Sequence, residues 1–170
     1  MKVVKAEDVQ KEQENQEGVN EQQVQVLQEK FDVLQSQLNE KKYDLLLDEK
    51  LTSILMNEVF PKFQWKGYES YAISETYNQL EAARTAKGIK AKFPVEIIEA
   101  TFHFLKNFIG TGYELAIPFK KICDQFAIPV QEINVDRQSL KDLSLELVAA
   151  EKGIDVNELV NALNNMPNQG

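Results

Sequence analysis

The feature that most constrains this chain is a stripe of apolar residues near its front. Val24, Leu27, Phe31, Leu34 and Leu38 recur at alternating steps of three and four. That spacing draws one narrow line along a helix, the kind of seam that pairs with another helix. Asn20 offers an N-cap oxygen, with Gln23 three residues on as its capping-box partner. Past Leu38 the pattern slips, because Lys41 takes the next apolar place and Leu45-Leu46-Leu47 is wider than a seam. Leu47, Leu51, Ile54, Leu55 and Val59 then make a broader stripe on a rotated face, and Pro61 ends the pattern by removing a backbone donor. The expectation is one long helix over residues 23–60. Its first part, 23–42, projects as a short coiled-coil arm, and its second, 43–60, docks on a body.

Ahead of the seam, residues 1–22 are rich in Gln and Glu and hold few apolar side chains. Too little surface is available there to offset the entropy of ordering, so a flexible acidic tail is expected. Charge is uneven along the chain. Residues 1–60 carry 7 Lys against 13 acids, residues 61–130 carry 9 basic against 7 acidic residues, and residues 131–170 carry 3 against 7. A net charge of −8 disfavours phosphate binding, which relies on clustered Lys and Arg, so no nucleic-acid partner is expected. The basic middle around Lys87, Lys90 and Lys92 reads as solvated lysines on a linker.

The fold expected is all-α: a helical body of about four to five helices, residues 61–170, with the long front helix projecting from it. Phe63, Trp65 and Tyr68 lie in a turn with Gly67 and are expected to pack back on the core. A helix over Ser70–Lys87 follows, closed by Gly88 as its left-handed cap. Ile89–Phe93 alternates apolar and basic residues, which suits a short edge strand or, preferred here, an extended linker. Pro94 opens the helix that should be most deeply buried, with Val95, Ile98, Phe102, Leu105 and Ile109 on one face. Pro118–Pro129 is a shorter helix, and Val130–Val135 reads as a strand or an extended crossing. Ser139–Asp142 and Asp155–Glu158 both have capping-box spacing, so residues 139–164 should form a helix hairpin broken at Gly153.

Chemistry-bearing constellations are scarce. The single histidine, His103, follows Glu99 by four residues, which puts both on one helix face beside Glu96. The spacing Glu-x-x-x-His is not the Glu-x-x-His of helical di-iron sites, and a second histidine for a zinc motif is missing. Cys123 is the one cysteine, so no internal disulfide or thiolate cage forms, and its neighbours Ile122 and Phe126 point to a small buried hydrophobe. Gly110-Thr-Gly112 lacks the order of a phosphate loop and reads as a helix terminator. Asn157, Asn161, Asn164 and Asn165 follow the hairpin turn without basic company, which argues against a DNA reader. No catalytic, cofactor-binding or metal-ligating set is therefore assigned.

Three functions fit this pattern. The first is a non-enzymatic interaction module, an accessory or structural subunit that binds a protein partner or a second copy through its N-terminal helix, as a homo-oligomer or within a hetero-assembly. The second is an enzyme or small-molecule binder with a site between helices near Glu99 and His103, with Tyr77 or Tyr113. The third is an acidic regulator of a basic partner. With no signal-peptide pattern near Met1 and no apolar run of about 20 residues, a non-membrane protein of the cytoplasm or another intracellular assembly is expected.

Overall fold

The computed structural model describes the backbone of residues 6–165 and the side chains of residues 21–165. The fold is mostly helical, with a small three-stranded sheet that the all-α reading omits. Its elements are α1 (Ala6–Glu40), β1 (Lys42–Asp48), α2 (Glu49–Ile54), α3 (Glu69–Ala83), β2 (Arg84–Thr85), β3 (Gly88–Pro94), α4 (Val95–Lys106), α5 (Tyr113–Lys152) and α6 (Val156–Asn164). After α2 the chain continues through a π-helical turn, Leu55–Val59, and a 3-10 turn, Phe60–Lys62, so the stop at Pro61 holds.

The single helix expected over 23–60 is corrected at both ends. α1 begins at Ala6, inside the stretch read as a flexible tail, where Glu, Gln and Lys are good helix formers. Residues 1–5 of that tail lie outside the described residues. At the other end α1 stops at Glu40 and the chain becomes a strand. The leucine run that resembled a phase slip is a change of period from 3.6 to 2: Tyr43, Leu45 and Leu47 face inward, and Lys42, Asp44, Leu46 and Asp48 face out. Asp48 then caps α2, its Oδ1 accepting from the Leu51 N–H at 2.7 Å.

The sheet order is β1-β3-β2, all antiparallel. The segment preferred as a linker is therefore the central strand, with Ile89 and Phe93 buried against the helices. Gly88 is not a helix cap. It pairs with Asp48 at φ +101°, where a Cβ would stand 2.1 Å from the Leu47 carbonyl oxygen, so only glycine fits.

Two compact units emerge, Glu40–Asp136 and the pairing of Met1–Asn39 with Arg137–Gly170. The first has one dense core. α4 contributes Ile97, Ile98, Phe104 and Leu105 to it, as its sequence led one to expect, while Ile109 falls beyond the helix and is exposed. Leu55, Met56 and Val59 enter from the π-helical turn, and Phe60, Phe63 and Phe104 stack edge and face at centroid distances of 4.9 and 5.5 Å.

α5 corrects the expected break between residues 130 and 139. It runs 40 residues through Pro118 and Pro129. Each proline removes one backbone bond, but Ile122, Phe126 and Ile133 keep a buried stripe on both sides of Pro129, and that packing outweighs the local cost. Asp142 is not part of a cap; its Oδ1 accepts from Gln138 Nε2 one turn earlier.

The second unit holds the hairpin end as expected. Gly153 has φ +63°, its N–H donates to Ala150 O at 3.1 Å, and the Ile154 N–H donates to Ala149 O at 3.0 Å, a Schellman closure. Asp155 caps α6 by accepting from the Asn157 N–H at 2.8 Å. Leu147, Ala149 and Leu159 are the buried apolar residues described in this unit.

Candidate interaction surfaces

The polar candidates do not converge. His103 is exposed, with 61% of its side chain open to solvent, and the carboxylate it meets is Glu69 of α3, at 3.8 Å. Its Nε2 also faces the Asn107 amide at 3.3 Å, and Phe104 packs edge-on beside the ring. Glu99 is half-buried on the same helix, Tyr77 packs edge-on to Phe60, and Tyr113 stands exposed at the first turn of α5. Among the described residues no group of three His, Cys, Asp or Glu side chains is placed to hold a metal. Cys123 is half-buried, and burial followed by the neighbouring Asp124 pushes its thiol pKa up, away from a reactive thiolate.

One polar cluster was not legible in the sequence. Lys41 Nζ donates to Asp136 Oδ2 at 2.6 Å and meets Glu132 Oε1 at 2.9 Å, while the Tyr43 hydroxyl donates to the same Asp136 oxygen at 2.9 Å. Lys41 also lies over the Tyr43 ring, 5.1 Å from its centroid. The bonds to Asp136 and Glu132 hold the ammonium above its usual pKa, and burial, then the bond to Asp136, raises the Tyr43 phenol to about 12. The lysine that interrupts the apolar pattern is thus a clasp between the start of β1 and the middle of α5. It ties the two elements together at the edge of the unit's core.

The apolar candidates are better defined. The aromatic turn divides: Phe63 is buried, as expected, but Trp65, Tyr68 and Tyr71 are 55%, 83% and 81% exposed, against the expected return of Trp65 and Tyr68 to the core. The turn is held in shape. Glu69 accepts from the Lys66 N–H at 2.8 Å, the Glu69 N–H donates back to Lys66 O at 3.1 Å, and Gly67 takes φ +51°. A second exposed pair, Tyr113 and Ile117, borders a 780 Å³ groove lined by Lys50, Ile54, Glu58 and Lys62 on one wall.

The seam on α1 is the third surface. From Glu21 to Glu40, the five seam residues Val24, Leu27, Phe31, Leu34 and Leu38 are half-buried and every other residue is exposed. A 510 Å³ hollow is lined by Gln23 and Leu27 from α1 and by Ala149, Gly153, Ile154 and Val156 from the α5–α6 turn. At Leu27 the seam therefore borders the α5–α6 turn of its own chain.

No protein-family model, no curated protein and no solved structure matches this chain. Among the described residues no helix is long and apolar enough to cross a membrane.

Proposed function

We propose that the chain is a non-enzymatic interaction module, an accessory or structural subunit that docks on another protein. The observation that carries this reading is the aromatic turn. Trp and Tyr are the residues that most often dominate binding energy at interfaces, and three of them stand exposed within seven residues of a turn pinned by Glu69 and Gly67. A turn whose backbone is pinned in this way loses less entropy on binding than an open loop, which suits docking.

The front helix supplies a second contact. The seam residues of α1 are half-buried and keep part of their surface open, which suits pairing with a helix from a second copy or a partner. The single cysteine fits a reducing intracellular setting. The rival reading, a site at Glu99 and His103, loses its support because His103 is solvated and meets Glu69.

Two measurements test the proposal. Sedimentation over a wide concentration range is expected to show self-association or, with an assembly partner, a complex. Cross-linking through a photoreactive residue at Tyr68 is expected to capture a defined protein, and the pair Tyr68→Ser and Tyr71→Ser to abolish that capture with the melting temperature unchanged. A strictly monomeric chain whose capture pattern is the same in the variant would overturn the reading.

A further inference from the structure

The outer face of the sheet has no role in the surfaces described above. β1 turns Lys42, Asp44 and Leu46 outward, and β3 turns Lys90 and Lys92 outward, all of them exposed. The register sets Lys92 opposite Asp44 and Lys90 opposite Leu46. Lys92 Nζ meets Asp44 Oδ2 at 3.3 Å, and the Asp48 carboxylate is engaged in capping α2. Among the described residues no carboxylate forms an ion pair with Lys42, Lys90 or the neighbouring Lys87. On the edge strand β1, beside Lys90, Leu46 is 52% exposed.

We propose that this face docks an acidic segment of a partner protein, which sets an apolar side chain on Leu46 and carboxylates beside Lys42, Lys90 and Lys92. The argument is charge complementarity. The chain as a whole carries −8, so an acidic partner is repelled by most of its surface and steered to the patch where positive charge is in excess. Lysines on an open sheet commonly serve only to discourage edge pairing, and that purpose needs no exposed leucine among them. Leu46 supplies the apolar anchor that a protein segment offers and a phosphate backbone does not. The face has no arginine fork for phosphate, and Asp44 sits within it, so nucleic acid is the poorer occupant.

The test uses the full chain and a fluorescent synthetic peptide of alternating glutamate and leucine, read by anisotropy. A lysine–leucine peptide and a single-stranded oligonucleotide are the controls. Binding of the acidic peptide is expected to weaken roughly tenfold between about 50 and about 200 mM salt, as screened surface charges require. The pair Lys90→Glu and Lys92→Glu is expected to lose roughly tenfold or more, and Leu46→Ser a smaller factor of roughly three. Lys90→Gln alone, a milder change, keeps the test valid if the double variant fails to fold, and is expected to weaken binding too. The pair Tyr68→Ser and Tyr71→Ser is expected to bind the peptide as the wild type does, so failure here is distinguishable from failure of the aromatic turn. Three results overturn the proposal: no preference for the acidic over the basic peptide, equal binding by the folded Lys90 and Lys92 variants, or tighter binding of the oligonucleotide.

Discussion

The unit Glu40–Asp136 and the unit formed by Met1–Asn39 with Arg137–Gly170 solve the problem of burial differently. The first closes a core from every direction. Leu45, Leu55, Leu80, Ile98, Ile122 and Phe126 are each fully buried, supplied by a strand, a π-helical turn and three helices. The second relies on helix-to-helix contact, and Leu147, Ala149 and Leu159 are its buried apolar residues. The five seam residues of α1 stay half-buried. The lesson is that stability and availability are divided between the units. A side chain closed on all sides adds to stability and is lost to binding, whereas a half-covered seam contributes less and leaves surface for a partner.

The sharpest way to break this contrast is to remove one large side chain from each unit. Phe126→Ala deletes a fully buried ring, with an expected loss of about 3–5 kcal/mol in denaturant unfolding. Leu34→Ala removes a half-covered seam residue and should cost about 1 kcal/mol. Equal losses would mean that the seam is as well packed as the core, and the division between the units would fail.

A second prediction concerns the clasp at the start of β1. Tyr43 has its pKa raised from the usual 10 to about 12, and Lys41 is raised above its ordinary value of 10.5. Both folded-state groups hold their protons to higher pH than the unfolded chain does. Their contribution is therefore complete below about pH 10 and is lost as pH rises toward 12, because the unfolded state then binds fewer protons. The expected fall in unfolding free energy over that window is on the order of 2 kcal/mol from Tyr43. Tyr43→Phe should flatten the decline. A wild-type curve that stays level from pH 9 to 11.5 would show that the clasp is not coupled to folding.

How far the sequence reveals each unit follows from the range of the signals. The helix of α1 and its five half-buried side chains follow from the one period those residues repeat over two heptads. The Schellman turn at Gly153 and the Asp155 cap were legible too, since both are decided within six residues. β1 was not, because Leu45-Leu46-Leu47 satisfies a helical and a strand period alike, and burial on alternate residues is settled only by pairing with β3. The continuity of α5 was hidden because two prolines argue locally for breaks that packing overrides. Phe63, Trp65 and Tyr68 look alike in a sequence, and Phe63 is set apart by ring contacts with Phe60, Phe104 and Phe108 that lie far off along the chain or on another element. The Lys41–Asp136 contact joins residues 95 positions apart, a distance at which no local pattern speaks.

The smallest expected effect tests how complete the dense core is. Thr76 on α3 is fully buried, and among the described residues its hydroxyl is the one buried side-chain polar atom with no hydrogen-bond partner. Two other buried threonines are satisfied: Thr101 donates to Ile97 O at 2.7 Å and Thr52 to Leu47 O at 3.3 Å. Burying a hydroxyl without a partner costs about 1–3 kcal/mol, and valine has nearly the same shape. Thr76→Val is therefore expected to stabilise the protein by about 1 kcal/mol, read as a higher denaturant midpoint with an unchanged slope. Thr101→Val, which removes a made bond together with its donor, should be close to neutral or mildly destabilising. If Thr76→Val lowers stability instead, the hydroxyl has a partner in solution, and the core around α3 is less dry than the burial of its neighbours implies.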